Sequence, residues 1–474
     1  MRRAKIVCTL GPSTNTEAAI DALVAAGMDC ARLNFSHGTH ESHAKAAAMV
    51  RAASARAGRP LALLADLCGP KIRVGRFPGG PIELVEGAPF DLHMDNDHPG
   101  DVTGVGASYL QLADDVETGD KLLLDDGLMQ LRVESVEPRN GETPAIIRTI
   151  VEVGGTLSDK KGINVPGRAL STPAVTEKDK RDMQFAVDTI GVEYIALSFV
   201  RTAADVLEAK ALAKGTPIIA KIEKPDAIAN LGAILDAADG AMVARGDLGV
   251  ECGAEKVPLL QKKIIKMVND RRKVVITATQ MLDSMIRNPT PTRAEAADVA
   301  NAILDGTDAV MLSGETASGR HPTLAVQMMD KIIREVERDW LSTVSASREM
   351  VAFASEWAFA EAAARAAALM SFALPIEAIV VYTRDGRTAN LLSEYRPRSP
   401  IVALTQDRKT ANQLALHWGV IPRVEVPPDN LPEAVRVATG MLLREGICKV
   451  NDEFCLVLGW PVSSGTNTIK LHRI

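Results

Sequence analysis

Residues 218–223 read Ile-Ile-Ala-Lys-Ile-Glu, and residues 241–247 read Ala-Met-Val-Ala-Arg-Gly-Asp. In both stretches a short apolar run stops at a charged residue, which is typical of a buried parallel strand that ends at a rim. The apolar residues are continuous rather than alternating, so both faces of each strand are expected to be covered. Comparable runs lie at 6–10, 30–35, 61–67, 194–200, 274–278 and 309–312.

Helical patterns separate most of these runs. Residues 16–26 and 40–57 are alanine-rich, and each stops at a glycine, as helices commonly do. The pattern recurs at 203–214, 257–270 and 293–305. Alternating strands and helices predict an α/β protein built on a (β/α)8 TIM barrel, with its active site at the carboxyl ends of the strands.

An open doubly wound sheet is the alternative arrangement of such repeats. That fold carries a glycine-rich dinucleotide fingerprint after its first strand. Residues 11–13 read Gly-Pro-Ser, which does not match it. The closed barrel is therefore the favoured interpretation.

Two regions depart from the barrel rhythm. Residues 70–171 lack a long helical period and carry short β-rich pieces between Gly and Asn turns, which predicts an inserted β-barrel lid on the catalytic rim. Residues 343–474 predict a C-terminal α/β domain with a long helix over 345–369 and strands at 379–382, 401–404 and 455–458. The catalytic barrel is then formed by 1–69 and 172–342.

Composition excludes several classes of protein. The chain of 474 residues has a net charge of −6, which argues against a non-specific nucleic-acid binder. The apolar stretch behind the basic start is too short for a signal peptide or a spanning helix, so no membrane association is expected. The six cysteines have no CxxC spacing and are expected to be buried free thiols in a cytoplasmic protein.

The residues that end the strands indicate the chemistry. Cations for anionic oxygens and carboxylates for Mg²⁺ or Mn²⁺ occur together, while zinc motifs and a nucleotide-cradling P-loop are missing. Metal-assisted chemistry on a small phosphorylated or carboxylated substrate fits this set. Its members are Arg32, Asn34, Ser36, His37, Asp66, Lys71, Arg73, Ser198, Lys221, Glu223, Asp247, Thr277, Thr279, Ser313 and Glu315.

Long segments in the same order resemble the pyruvate kinase family over essentially the whole chain. The matching stretches are 5–13, 31–38, 69–73, 161–167, 220–223, 242–249, 277–282 and 311–316. The resemblance implies the reaction of phosphoenolpyruvate with ADP to give pyruvate and ATP, and the family's plan of barrel, β lid and C-terminal α/β domain. It also implies a homotetramer.

The resemblance assigns roles at the substrate. Glu223 and Asp247 hold the essential Mg²⁺ or Mn²⁺. Lys221 lies against the phosphoryl group in flight, where a fixed ammonium stabilises the transition state more than the ground state. Arg32 and Arg73 are implied to clamp the same phosphoryl group. Thr279 would bind the substrate carboxylate or belong to the route that protonates the enolate. The other substrate contacts implied are the backbone of Ala244, Arg245 and Gly246, which would receive the carboxylate, and Ser198.

The nucleotide and cation pockets follow from the same likeness. Asn34, His37, Arg73 and Lys161 would face the nucleotide, with a second Mg²⁺ arriving on ADP. Many family members hold K⁺ with Asn, Ser, Asp and Thr and carry a nearby glutamate. Here Asn34, Ser36 and Asp66 are present, but Leu67 replaces the threonine and Lys71 replaces the glutamate. The lysine ammonium supplies the charge that K⁺ would bring, so we expect turnover without K⁺.

The resemblance also implies an effector site in the C-terminal loop 383–388, which reads Thr-Arg-Asp-Gly-Arg-Thr here. Its hydroxyls and amides suit a phosphate effector, a sugar phosphate or a nucleotide, but Asp385 opposes one. We therefore expect weak or no activation by fructose 1,6-bisphosphate, and a monophosphate effector at a neighbouring pocket stays open. Two other functions are compatible with the barrel, namely a metal-dependent lyase or aldolase and a non-catalytic sensor that keeps the fold.

Overall fold

The structure is a computed structural model that describes residues 1–141, 143–168, 170–343, 358–460 and 465–474. All eight predicted runs form strands, and these close into one parallel barrel, which confirms the fold class. Each strand pairs in parallel with the next along the chain, and the last pairs with the first. In chain order the strands are Lys5–Thr9, Cys30–Asn34, Ala62–Asp66, Tyr194–Leu197, Ile218–Ile222, Gly240–Ala244, Val274–Ala278 and Ala309–Leu312.

Helices surround this barrel. Several begin at a threonine whose hydroxyl accepts a hydrogen bond from the first turn, as at Thr16, Thr176 and Thr292. The helices are Glu17–Ala26, His40–Arg56, Glu177–Phe185, Ala203–Leu212, Pro225–Ala229, Leu231–Ala237, Arg245–Cys252, Val257–Asn269, Arg293–Leu304, Gly314–Ala317 and Pro322–Thr343. Single turns of 3-10 or π helix occupy Pro12–Thr14, Ala186–Ile190, Ala254–Lys256 and Asp283–Ile286.

The inserted segment is all β apart from one short helix, Leu112–Asp115. Most of its strands form a six-stranded sheet, and two form a separate ladder. Residues 73 and 74 bridge to both edges of the six-stranded sheet, Arg73 to Gly162 and Val74 to Ala107. The strands are Ile82–Leu84, Pro89–His93, Gly104–Gly106, Lys121–Leu124, Met129–Glu137, Ile146–Val153, Gly155–Leu157 and Ile163–Asn164.

The C-terminal region forms a five-stranded sheet covered by helices. The sequence predicted three of its strands and missed Val420–Val424 and the antiparallel edge strand Thr468–Arg473. The long helix predicted over 345–369 is described only from Ala358, and its residues 345–357 lie outside the described part. The remaining elements are Ile376–Tyr382, Arg387–Glu394, Ile401–Thr405, Arg408–Leu414, Leu431–Arg444 and Glu453–Leu458.

Separate apolar clusters lie in the three regions. The barrel has one cluster between strands and helices and another inside the ring of strands. The lid has its own, centred on Phe90 and Leu92. Two more cover the faces of the C-terminal sheet. Among the described helices, none combines the length and apolar character needed to cross a membrane.

Candidate active site

The carboxyl ends of the barrel strands open into one cavity of about 130 Å³ beneath the lid. Parallel strands deliver their last residues to the same rim, so polar side chains far apart in the chain meet there. The residues that line it are Arg32, Asn34, Ser36, His37, Asp66, Cys68, Lys71, Arg73, Ser198, Phe199, Lys221, Glu223 and Asp247.

Lys221 lies at the centre of the charged groups. Its Nζ donates to Ser198 Oγ at 2.7 Å. The same ammonium is 2.8 Å from Glu223 Oε1 and 3.3 Å from Asp66 Oδ1. Burial disfavours the ammonium, but the carboxylates of Asp66, Glu223 and Asp247 outweigh burial and raise the pKa of Lys221 above its ordinary value. Lys221 is therefore a permanent positive charge.

Asp66 joins this lysine to an arginine. Its Oδ2 accepts a hydrogen bond from Arg32 Nε at 2.6 Å, and Arg32 Nη1 donates to Thr9 Oγ1 at 3.0 Å. Burial alone would raise the pKa of Asp66, but Arg32 and Lys221 lower it below its usual value. Asp66 thus remains ionised and holds both cations at the rim.

Glu223 has the chemistry of a metal ligand. Its Oε2 accepts the backbone N–H of Phe199 at 2.7 Å. Its Oε1 is buried and lies 2.8 Å from the Lys221 ammonium, an ion-pair contact, and it has no hydrogen bond from the described residues. Burial raises the pKa of Glu223, the Lys221 ammonium opposes this shift without cancelling it, and the neighbouring charge of Asp247 adds to it. A divalent cation would satisfy that oxygen and both carboxylates, so these residues fit Mg²⁺.

No cluster of three or more His, Cys, Asp or Glu side chains with metal-binding placement occurs within the described ranges. Two protein carboxylates with open positions are what Mg²⁺ commonly uses when a substrate supplies the other oxygens. The donor set at this rim therefore suits a metal that bridges protein and substrate.

Thr279 lies beside the cavity rather than on its wall. Its Oγ1 accepts the N–H of Gly246 at 2.7 Å and donates to the carbonyl of Ala278 at 2.7 Å. Arg245 turns away from the cavity and donates to the carbonyls of Ala278 and Thr279. The Gly246 amide, expected from the sequence to be free, is thus already bonded to Thr279, in the first turn of the helix that begins after Ala244.

Three of the four predicted nucleotide-side residues line the cavity, namely Asn34, His37 and Arg73. Burial lowers the pKa of His37, and the charges of Arg73, Lys71 and Arg32 lower it further, so its imidazole is neutral at pH 7. Arg73 Nη1 donates to the carbonyl of Lys160 in the lid at 2.9 Å.

Lys161, the fourth of these residues, is turned towards the lid. Its Nζ is 2.9 Å from Asp125 Oδ1, and its side chain does not line the cavity.

The pocket that corresponds to the family's K⁺ site, by the resemblance described above, differs from that site at two residues, Leu67 and Lys71. Asn34, Ser36 and Asp66 line the cavity. Leu67 is buried, and its carbonyl accepts from Ser198 Oγ at 2.7 Å. Lys71 lines the same cavity, with its Nζ 4.0 Å from Asp126 Oδ1 of the lid. An ammonium therefore lies where the resemblance has a glutamate.

Sequence reasoning missed one wall residue as functional. Phe199 follows Ser198 directly and has a φ of +56°, which is rare for an aromatic residue. The apolar residues around Phe199 in the sequence gave no sign that its backbone N–H would contact the carboxylate of Glu223. Glu315, one of the strand-end residues, does not line the cavity but supports the rim, since its buried carboxylate accepts the N–H groups of Leu282 and Ser313.

Comparison with known proteins agrees with this arrangement. The family described as "Pyruvate kinase, barrel domain" matches residues 1–326, and "Pyruvate kinase, alpha/beta domain" matches residues 361–472. The chain is 45% identical to the pyruvate kinase of Geobacillus stearothermophilus over all of this chain and 80% of that protein. It is 44% identical to that of Mycobacterium intracellulare, over 100% and 98% of the two chains. Identity to the Clostridium perfringens pyruvate kinase is 40% over the full length of both. The chain therefore belongs to the pyruvate kinase family.

Proposed function

We propose that this protein is a pyruvate kinase, a phosphotransferase that moves the phosphoryl group of phosphoenolpyruvate to ADP and yields pyruvate and ATP in the final step of glycolysis. The observation that carries the proposal is the meeting of Lys221, Glu223 and Asp247 in one cavity. Glycolysis and the free thiols are consistent with a cytoplasmic enzyme, although Cys68 and Cys252 are only partly buried, unlike the other four cysteines.

The two carboxylates would hold the metal. Glu223 and Asp247 are the ligands proposed for Mg²⁺ or Mn²⁺, and Glu223 Oε1 accepts no hydrogen bond from the described residues. When bound, the ion supplies positive charge to the carboxylate and phosphoryl oxygens of the substrate.

The cations act on the phosphoryl group. Negative charge spreads over the equatorial oxygens in the transition state, and a fixed ammonium from Lys221 stabilises it there. Ser198 and Asp66 fix the position of that ammonium. Arg32 and Arg73, which line the same cavity, are proposed to complete the clamp on the phosphoryl group.

Thr279 and the first turn of the helix Arg245–Cys252 are proposed for the other end of the substrate. The positive end of this helix suits a carboxylate. The Thr279 hydroxyl, held by Gly246 and Ala278, would contact that carboxylate or belong to the route that protonates the enolate. Binding there would require Gly246 to exchange its hydrogen bond from Thr279 to the substrate.

The nucleotide would bind between rim and lid. Asn34, neutral His37 and Arg73 offer hydrogen bonds from the barrel side. Lys161 would leave Asp125 to reach a phosphate, a change that needs only rotation of a long side chain. A second Mg²⁺ is proposed to enter with ADP.

A coupled assay tests the function directly. ATP formation should require phosphoenolpyruvate, ADP and Mg²⁺ together, and Lys221→Met should lower kcat by about 100-fold or more. Pyruvate release without ADP would favour a lyase or aldolase, which has no use for the lid or for Lys161. No ATP formation by the folded wild-type protein would instead favour a non-catalytic sensor, and unchanged turnover in Lys221→Met would reject the role proposed for Lys221.

We further propose that K⁺ is not required. Lys71 brings an ammonium to the cavity, and Leu67 offers no hydroxyl ligand. Activity in K⁺-free and Na⁺-free buffer should lie within about 2-fold of that with K⁺, because a fixed charge replaces the mobile one. Many-fold rescue of an inactive enzyme by K⁺ would reject this proposal.

Regulation and assembly are also proposed. A cavity of about 580 Å³ in the C-terminal domain is lined by Thr383, Arg384, Arg387 and Thr388, which suit a phosphate. Asp385 lines it as well and lies 3.4 Å from Arg387, so we expect little activation by fructose 1,6-bisphosphate. Large activation at micromolar bisphosphate would contradict this. A monophosphate or nucleotide effector and a homotetramer remain proposals.

We propose the domain boundaries 1–69 with 172–342, 70–171, and 343–474. The lid has an apolar cluster of its own, which supports limits near residues 70 and 171. Limited proteolysis should cut first near residues 70 and 171 if these are the hinges.

A further inference from the structure

A buried carboxylate joins the lid to the barrel outside the residues assigned above. Glu251 Oε1 accepts a hydrogen bond from Asn164 Nδ2 at 2.8 Å and one from Lys224 Nζ at 2.5 Å. Asn164 belongs to a lid strand, whereas Lys224 follows the fifth barrel strand. All three residues are buried. A buried charge of this kind is stable only while its partners stay in place, so the position of each donor constrains the other.

Lys224 also contacts the residue that holds Glu223. Its ammonium lies 5.5 Å from the centroid of the Phe199 ring, a cation–π distance. Phe199 has its left-handed φ of +56° and donates its N–H to Glu223 Oε2 at 2.7 Å. The Lys224 ammonium and the Glu223 carboxylate therefore contact the same aromatic residue, one at its ring and the other at its backbone N–H.

The helix that carries Glu251 carries the second proposed metal ligand. Asp247 lies in the first turn of Arg245–Cys252, and Glu251 lies four residues further on. Residues four apart share one face of a helix. One short helix thus presents Asp247 to the metal and Glu251 to the lid.

The hinge packs on the same aromatic ring. A Cβ on Gly69 would lie 2.7 Å from Phe199 Cδ2, so the backbone of the hinge touches the ring. At this junction lies a separate small cavity of about 30 Å³, lined in part by Asn164, Phe199 and Lys224. The lid is therefore closely packed against the barrel at this junction.

We propose that Glu251 is a positioning residue for the phosphoryl-transfer site, coupling the closed position of the lid to the orientation of the Glu223 carboxylate through Lys224 and Phe199. This inference rests on the proposed function for its role in the reaction. The coupling itself concerns the metal site and the lid, and both can be measured without turnover.

The experiment uses the full chain and Mn²⁺ as the probe, without substrates. Mn²⁺ affinity is measured by paramagnetic resonance of the free ion, and lid position by amide hydrogen exchange of residues 159–167. Lys224→Met should weaken Mn²⁺ binding about 10-fold, as loss of a residue that orients a metal ligand does, and should speed exchange in the lid. Asn164→Ala should speed exchange and weaken Mn²⁺ binding about 3-fold, because Glu251 then has one donor fewer.

The double variant decides between coupling and independent damage. If both residues act through Glu251, the loss of Mn²⁺ affinity in Lys224→Met with Asn164→Ala will be smaller than the product of the single losses. Losses that multiply, or single variants with unchanged Mn²⁺ affinity, would overturn the inference.

Two further variants keep the result interpretable. Lys45→Met removes an exposed lysine on the helix His40–Arg56 and should change neither measurement. Lys224→Arg keeps the cation and should bind Mn²⁺ within about 3-fold of wild type, whereas a 10-fold loss in a folded Lys224→Arg protein would contradict the role of the charge. ATP formation by the wild-type protein is measured separately: coupled Mn²⁺ binding without ATP formation rejects the proposed function and leaves the role of Glu251 standing.

Discussion

Thr279 holds a backbone conformation that a β-branched residue rarely adopts. Its φ is +67°, and that of Gln280 is +51°. Such positions cost about 1–3 kcal/mol each and persist where the surroundings determine them strongly. Here Arg245 donates to the carbonyls of Ala278 and Thr279, and the Thr279 hydroxyl bonds to Gly246. The strain places one hydroxyl at the first turn of the helix that carries Asp247.

Replacing this hydroxyl should separate its chemical role from its packing. Thr279→Val keeps the shape but leaves the Gly246 N–H without its acceptor, so we expect kcat to fall about 100-fold. Thr279→Ser keeps the hydroxyl and should retain kcat within about 10-fold. Steady-state kinetics with both substrates, together with thermal unfolding, make the comparison. If Thr279→Val had the same kcat as Thr279→Ser and the wild-type protein, the hydroxyl would not be needed.

Among the elements, the lid hinge is defined by one glycine. Gly69 has a φ of +66°, and its N–H donates to Asp179 Oδ1 at 3.0 Å. The Asp179 carboxylate also accepts from Thr176 at the start of the helix Glu177–Phe185. The first hinge of the lid is therefore fixed both to Phe199 and to the helix that follows the second hinge.

A side chain at this hinge should be far more costly than one at a similar glycine elsewhere. Gly58 has a φ of +62°, and a Cβ added there would meet no other atom within 4 Å, so Gly58→Ala should cost about 1 kcal/mol from the backbone alone. Gly69→Ala adds the clash with Phe199 and should cost about 3 kcal/mol. Urea unfolding of both variants measures the difference, and equal midpoints would show that the hinge relaxes freely.

At the scale of the whole molecule, the C-terminal domain closes the bottom of the barrel. Leu416 belongs to the apolar cluster inside the ring of strands, although it comes from the C-terminal domain. Tyr194 donates to the carbonyl of Gln413 at 3.0 Å, and Arg396 pairs with Asp308 at 2.6 Å in a buried contact. The catalytic rim and the C-terminal domain thus lie at opposite ends of one barrel core.

His417, next to Leu416, should make this interface sensitive to acid. Burial lowers its pKa to about 4, with Lys5 and Arg396 adding to the effect and Asp308 opposing it. The unfolded chain takes up a proton near pH 6.5, whereas the folded chain does so only near pH 4, so stability is complete above pH 6.5 and falls as pH falls through this window. The loss is at most about 3 kcal/mol.

Urea midpoints between pH 7 and pH 4.5 measure this effect. His417→Gln removes the titrating group and should decline less steeply with falling pH than wild type. Parallel declines in the two proteins would exclude His417 as a source of acid sensitivity.

Continuous apolar runs determined the barrel from the sequence alone, because a strand buried on both faces leaves a local signature. The lid strand Pro89–His93 and the C-terminal edge strand Thr468–Arg473 left weaker patterns, since both are partly exposed and carry polar residues among the apolar ones. The strand-end residues were readable because parallel strands share one rim. Only the tertiary structure decided that Phe199 orients Glu223, that Gly246 is bonded to Thr279, and that Glu251 meets Asn164. Each of these contacts joins two separate segments of the chain, and neither segment's sequence indicates its partner. The contacts therefore depend on how the segments pack in the tertiary structure.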